Sequence, residues 1–313
     1  MEPTGADALY VELSGGFRLA MSASLVVMMF TVALGLKIAD FKALKSEPRP
    51  VIIGAIAQIL GLPLLTLGLI YLLGPVPSVA LGMIVVACCP GGNVSNALTM
   101  FGRGDTAYSV SLTAISSVSA ALITPVSILF WSALYAPTNA LVGTLDISPW
   151  PFITQTVALL AFPLAMGMLM SEKKPELAAR LRTALSPVAL AILFGLILVG
   201  GYTNRDVLFA TDHGLFPVVL MHNGLAFAMG GLTAWVFGMS MARRRSLTFE
   251  VGIQNAGLGL LILLSQFDGV GGAVAVTGLW SIWHIAAGFV VVALFRSYDW
   301  AQSKNIIGKS REV

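Results

Sequence analysis

Long apolar segments alternate with short polar connections along most of the chain, and this pattern predicts helices that cross a membrane. About twenty consecutive apolar residues are enough for one crossing as an α-helix. Nine crossings are predicted, near residues 16–37, 50–73, 78–101, 105–131, 150–170, 184–201, 214–239, 247–267 and 272–296. The predicted fold class is therefore an all-α polytopic membrane protein.

Polar residues and glycines interrupt the third and the eighth of these spans. The first interruption, Cys88–Leu98, reads CCPGGNVSNAL, and the second, Phe249–Leu260, reads FEVGIQNAGLGL. Non-helical backbone at membrane depth is tolerated only where protein buries it or where it lines a cavity. A carboxylate there costs roughly 2.5–3.5 kcal/mol on insertion scales, so we expect Glu250 to serve an ion or substrate site.

The two interrupted spans lie five apart along the chain and so run in opposite directions through the membrane. Interrupted helices in corresponding positions of two halves are typical of inverted repeats, with the binding site between them. We expect one transmembrane domain over 1–313, with a first repeat at about 16–131, a second at about 150–296 and a tail at 297–313.

Composition and charge extend this interpretation. Only 11% of the residues are charged, against about 25% in soluble domains, which excludes a large soluble domain. Sixteen of the 18 lysines and arginines fall in loops on one side, and only Arg18 and Arg205 fall on the other. The positive-inside rule then predicts an outside N-terminus and a cytoplasmic C-terminus in a cell (inner or plasma) membrane.

Oxygen-bearing side chains collect in and around the two interruptions: Gln58, Ser95, Asn96, Ser109, Thr113, Glu250, Gln254 and Asn255. Hard cations prefer such oxygen ligands, and a single carboxylate suits sodium better than a divalent ion. Other interpretations remain open at this point. Ser109 and Thr113 could bond neighbouring helices, and Glu250 could pair with Arg245 at the interface. His222, Asn223 and His284 are better explained as packed, hydrogen-bonded residues than as metal ligands.

These residues resemble the bile acid:sodium symporter family, of which the apical sodium-dependent bile acid transporter is a member. The resemblance rests on CCPGG-x-x-SN at Cys88–Asn96, GD-x-x-x-SV-x-x-T at Gly104–Thr113 and EVG-x-QN at Glu250–Asn255. MHN at Met221–Asn223 and SIWH at Ser281–His284 support it. It covers most of the chain and implies a panel domain and a core domain, with two broken helices crossing in the core.

The resemblance also implies two sodium sites and a substrate site. The first sodium ion would be bound by Ser95, Asn96, Ser109, Thr113 and Glu250. The second would be bound by Gln58, Glu250, Gln254 and backbone carbonyls near Val251 and Ile253. The substrate would meet Gly92, Asn93, Asn255 and His284. Asn93 departs from the threonine common in the family, which bears on substrate identity, and the extra first helix of many bacterial members is not expected here.

The implied function is sodium-coupled import of an organic anion by alternating access, the anion being a bile-acid-like sterol or a small carboxylate such as pantoate. The expected partners are two sodium ions, that anion and the lipid bilayer, with no nucleic acid and no obligate protein partner. No enzymatic activity is expected, because the chain has no GxxxxGK[ST], HExxH or GxSxG motif. The alternatives are a proton-coupled antiporter of the same fold, which would need a titrating carboxylate pair, and a membrane receptor that does not transport.

Overall fold

The computed structural model describes residues 15–145, 147–203 and 215–309, and within these ranges the chain is helical and has no strand. Arg205 and Arg311, which contribute to the charge count, lie outside the described residues. The helices are α1 Gly15–Ala33, α2 Lys42–Ser46, α3 Pro48–Ile56, α4 Leu62–Leu73, α5 Pro77–Ala87, α6 Asn93–Phe101, α7 Thr106–Ala133, α8 Ala136–Thr144, α9 Pro149–Lys173, α10 Pro175–Thr203, α11 Leu215–Val236, α12 Met241–Gly252, α13 Ala256–Gln266 and α14 Gly271–Lys309.

These helices confirm the all-α fold class, and each predicted span coincides with a helix or with a broken pair of helices. A π-helical turn, Ala57–Gly61, joins α3 to α4 in one rod. The helices long and apolar enough to cross a membrane, among the described residues, are Pro48–Leu73, Thr106–Ala133, Pro149–Lys173, Leu215–Val236 and Gly271–Ser303. The sixth span begins at Pro175 rather than near 184, because hydropathy does not register the polar first turns of α10.

Two groups of helices make up the described protein. Helices α1, α9 and α10 pack against one another, and a Cβ atom at Gly167 would lie 2.6 Å from the Cβ of Ala33, so α1 and α9 approach closely. The other group contains both broken helices together with α7, α11 and α14. The groups meet mainly where α1 packs on α13 and where α7 packs on α9. The assignment of these two groups to the panel and core domains that the resemblance implies stays a prediction.

The two broken helices meet at their breaks and satisfy each other's backbone. Gly91 and Gln254 form an antiparallel β-bridge, and the amide of Asn255 donates to the carbonyl of Pro90 at 2.8 Å. Pro90 has no N–H to continue α5, and a Cβ atom at Gly91 would lie 2.9 Å from the Oε2 of Glu250. A side chain at Gly91 would therefore displace the Glu250 carboxylate or the Gln58 amide, and the unwound segments are paired within the protein.

Candidate ion-binding site

The carboxylate of Glu250 lies at the end of α12, beside the crossing, and is fully buried (0% exposed). The Oγ of Ser95, on α6, donates to Oε1 at 2.6 Å, and the Oγ of Ser109, on α7, lies 2.5 Å from the same oxygen. The Oγ1 of Thr113, one turn further along α7, lies 2.9 Å from Oε2 and 3.1 Å from Oε1. Hydroxyls from two other helices thus surround one carboxylate.

Asn96 completes the first predicted sodium site. Its Oδ1 lies 2.8 Å from the Oγ of Ser109 and 3.2 Å from the Oγ1 of Thr113. Each hydroxyl has one hydrogen, and donation to Glu250 leaves none for Asn96. The structure therefore brings together all five side chains predicted for this site. The cluster has more short oxygen–oxygen contacts than hydroxyl hydrogens that could be donated across them.

The local sequence explains how these groups converge. Asp105 caps α7 by accepting from the amide of Tyr108 at 3.0 Å, which fixes the start of the helix that carries Ser109 and Thr113. Those two residues are i, i+4 neighbours, so their hydroxyls share a face. The sequence analysis missed Thr99, whose Oγ1 lies 3.2 Å from the Oγ of Ser109. Thr99 lies four residues after Ser95, on the same face of α6, and this spacing could have indicated that it belongs to the cluster.

Arg245 does not neutralise Glu250. It is 4% exposed, donates to the carbonyl of Gly102 at 3.0 Å, forms an ion pair with Asp299 and lies 5.1 Å from the ring centre of Phe295. The alternative in which Glu250 pairs with Arg245 is therefore wrong. No cationic side chain contacts Glu250 in the described ranges, and a buried charge without a partner is costly. A bound cation or a proton would balance the charge of this carboxylate.

The residues of the second predicted sodium site lie beside the backbone of Glu250. The Nε2 of Gln58, in the π turn, donates to the Glu250 carbonyl at 3.2 Å, and the Nε2 of Gln254 donates to the Val251 carbonyl at 2.8 Å. The Oε1 atoms of both glutamines are buried and have no hydrogen-bond partner. Ile253 adopts extended backbone directly after α12. Both amide nitrogens lie within 3.4 Å of the Glu250 carbonyl, and their two buried oxygens without a partner in the described residues fit a cation, since buried acceptors are normally satisfied.

Three of the four predicted substrate residues lie together at the crossing. Gly92 and Asn93 begin α6, Asn255 begins α13, and a Cβ atom at Gly92 would lie 4.0 Å from the Cα of Asn255. Asn93 is exposed. The Nδ1 of His284 instead lies 2.5 Å from the carbonyl oxygen of Trp280 in its own helix. The predicted contact between His284 and the substrate stays a prediction.

His222 and Asn223 are packed and hydrogen-bonded, as the sequence suggested. The Nε2 of His222 lies 2.7 Å from the Oγ1 of Thr66. Asn223 has a role that sequence reasoning missed: its Nδ2 donates to the carbonyl of Gly252 at 2.7 Å. Helix α11 therefore supports the broken end of α12, directly beside the ion site.

Comparison with known proteins identifies the family. The model of the sodium bile acid symporter family matches residues 23–211, more than half of the chain. The chain belongs to this family. The sodium-dependent transporter YocS of Bacillus subtilis is 33% identical over 84% of this chain and 78% of its own length.

More distant members of the family span plants and animals. The probable chloroplastic sodium/metabolite cotransporter BASS1 of Arabidopsis thaliana is 28% identical over 87% of this chain and 65% of its own. The human ileal sodium/bile acid cotransporter is 25% identical over 90% of this chain and 80% of its own. The protein is accordingly a multi-pass membrane protein of a sodium-dependent transporter family, and not an enzyme.

Proposed function

We propose that the protein imports an organic anion together with two sodium ions by alternating access, with its N-terminus outside the cell and its C-terminus in the cytoplasm. The repeats near 16–131 and 150–296 would supply one broken helix each. The proposal rests on the family membership, on the charge distribution of the loops and on the chemistry of the Glu250 cluster.

The observation that carries the proposal is the buried carboxylate of Glu250, surrounded by hydroxyl and amide oxygens without a cationic side chain. A sodium ion there would supply the missing positive charge and accept the oxygens of Asn96, Ser109 and Thr113 as ligands. Because those ligands come from α6 and α7 while Glu250 comes from α12, a bound ion would tie the two broken helices together. Sodium binding would thereby order the crossing before the substrate binds.

The second ion would use the unpaired Oε1 atoms of Gln58 and Gln254, with Glu250 and the backbone beside Val251 and Ile253. Glu250 would then serve both ions, since its Oε2 lies toward Gly91 and Gln58. Two sodium ions with one monoanion carry a net charge of +1. A membrane potential would add about 2.3 kcal/mol per 100 mV to the driving force.

The preference for an anion follows from the helix ends at the crossing. Helices α6 and α13 both begin there, at Asn93 and Ala256, and the N-terminal ends of helices favour negative charge. The residues beside these ends are Gly92, Asn93 and Asn255, and we assign them to substrate binding. We also assign His284, on α14, to substrate binding. A sterol-like bile acid or a small carboxylate such as pantoate fits this chemistry.

Uptake into proteoliposomes tests the function. With an inward sodium gradient we expect the purified protein to accumulate labelled cholate or pantoate, faster when the interior is negative, and the Glu250→Gln variant to accumulate neither. A pH gradient that drives uptake equally well without sodium would favour the antiporter, although no second carboxylate contacts Glu250 in the described residues. Sodium binding with no uptake of any organic anion would favour the receptor.

A further inference from the structure

A groove of about 250 Å³ lies where the end of α1, the end of α9 and the start of α10 meet. It is a separate feature from the crossing of the broken helices, and none of the predicted sodium or substrate residues lines it. The residues that give it chemical character are Gly35, Lys37, Ser171, Pro175, Arg182 and Thr183.

Two cations line this groove without an internal counterion. The guanidinium of Arg182 lies against the backbone of Gly35, where a Cβ atom would come within 2.7 Å of its Cζ. Neither Arg182 nor the ammonium of Lys37 forms an ion pair or a side-chain hydrogen bond with any residue in the described ranges. Glu172 and Glu176 lie nearby in sequence, and the Asp40 carboxylate accepts from the backbone amide of Lys37 at 2.8 Å, but none of the three lines the groove. The groove is therefore positively charged.

Ser171 adds a hydroxyl to the groove. The residue is 4% exposed and lines the groove, and its hydroxyl makes no hydrogen bond within the described residues. Because the hydroxyl oxygen is not fully buried, it faces the groove and can donate to an acceptor that binds there. The N-terminal end of α10, a helix of 29 residues, opens into the same groove at Pro175 and adds a positive partial charge.

We propose that this groove binds the phosphate group of an anionic phospholipid. Phosphate oxygens would accept from Arg182, Lys37 and Ser171, a chemistry that a free phosphate ion shares. A lipid is favoured because Ile38, which follows Lys37, is 63% exposed, and Leu177, on the first turn of α10, is exposed as well. These side chains give acyl chains an apolar surface, and basic pockets between membrane helices on the cytoplasmic side are suited to anionic head groups. The head group would hold the ends of α1, α9 and α10 together.

Lipid retention in nanodiscs tests this proposal. We expect native mass spectrometry to show phosphatidylglycerol retained by the wild type from mixed phosphatidylglycerol and phosphatidylcholine discs. The Arg182→Gln and Lys37→Gln variants should each retain it at least about tenfold more weakly, the loss expected for one charge-assisted hydrogen bond to the phosphate. Arg180→Gln is the matched control, because it removes the same charge from an exposed position of α10 that does not line the groove. Equal weakening in Arg180→Gln would show a general surface potential and overturn the proposal.

Two further measurements test the position of the lipid and the source of the phosphate. Gly35→Ala keeps every charge but displaces Arg182, so retention should fall as it does in Arg182→Gln; unchanged retention would place the lipid elsewhere. Inorganic phosphate, titrated into pure phosphatidylcholine discs, separates the two sources. Thermal stabilisation by millimolar phosphate, with none from phosphatidylglycerol, would overturn the lipid assignment. If a variant does not yield folded protein, judged by size-exclusion chromatography, the comparison rests on the other two.

Discussion

Replacing Glu250 by glutamine isolates the charge on which the ion site depends. The amide has nearly the same shape as the carboxylate, so packing against Ser95, Ser109 and Thr113 is retained while the negative charge is lost. In the wild type without sodium, the carboxylate is fully buried with hydroxyl donors and no cation. Each charge-assisted hydrogen bond contributes about 1.5–3 kcal/mol, which offsets only part of the cost of burying the charge.

Sodium should raise the free energy of unfolding of the wild type but not that of the Glu250→Gln variant. A ligand that binds only the folded state stabilises it by RT ln(1 + [L]/Kd), or about 2.7 kcal/mol at a hundredfold excess over Kd. The Glu250→Gln variant should gain almost nothing from sodium, because the two ions would lose the anion they share. In sodium-free buffer the variant should be as stable as the wild type or more stable, since the uncompensated charge has been removed.

The assay is thermal unfolding of purified protein in sodium, potassium and choline chloride at equal ionic strength. Glu172→Gln is the control, as the same chemical change in an exposed carboxylate of α9. We expect a sodium-specific rise in unfolding temperature in the wild type and in Glu172→Gln. The reasoning is refuted if Glu250→Gln keeps the full sodium shift, or if the wild type unfolds alike in all three salts.

Four further variants examine the crossing. Gly91→Ala should abolish the sodium shift, because its Cβ would crowd the carboxylate, whereas Gly92→Ala, with no such close contact, should keep it; equal shifts would contradict the geometry. Asn223→Ala should lower the free energy of unfolding by about 1–3 kcal/mol in chemical denaturation, because it leaves the Gly252 carbonyl buried and unpaired. Asn93→Thr should change the ranking of competing anions in an uptake assay while the sodium dependence stays the same, and an unchanged ranking would remove Asn93 from the substrate site.

The helices and the polar residues within them could be predicted from the sequence, because each is recognised from a short stretch of neighbouring residues. Apolar runs predict membrane helices, and a carboxylate or an amide within such a run is conspicuous. The same reasoning missed α8, which lies in the connection between α7 and α9, and the polar first turns of α10. Both are helices whose composition carries no membrane signal.

Contacts between distant segments that the family resemblance does not imply were beyond sequence reasoning. Arg245 has Glu250 only five residues away, yet its partner is Asp299 on α14, which no sequence spacing indicates. The hydrogen bond from Asn223 to the carbonyl of Gly252 likewise joins the interior of α11 to the end of α12. That helix end exists only because the membrane span is interrupted there. In both pairs the partner is chosen by helix packing, which a single sequence does not display.

The hydrogen bond between Pro90 and Asn255 has a consequence for how the protein is made. While the first broken helix enters the bilayer, its partner has not yet been synthesised, and at about 5–20 residues per second the wait is on the order of ten seconds or more. During this interval the carbonyl of Pro90 and the backbone of Gly91 lack their native partners. The half-made protein must therefore shelter an unpaired segment from lipid, through the insertion machinery or trapped water, until the second break arrives. Completion of the chain, rather than insertion of any one helix, closes the core.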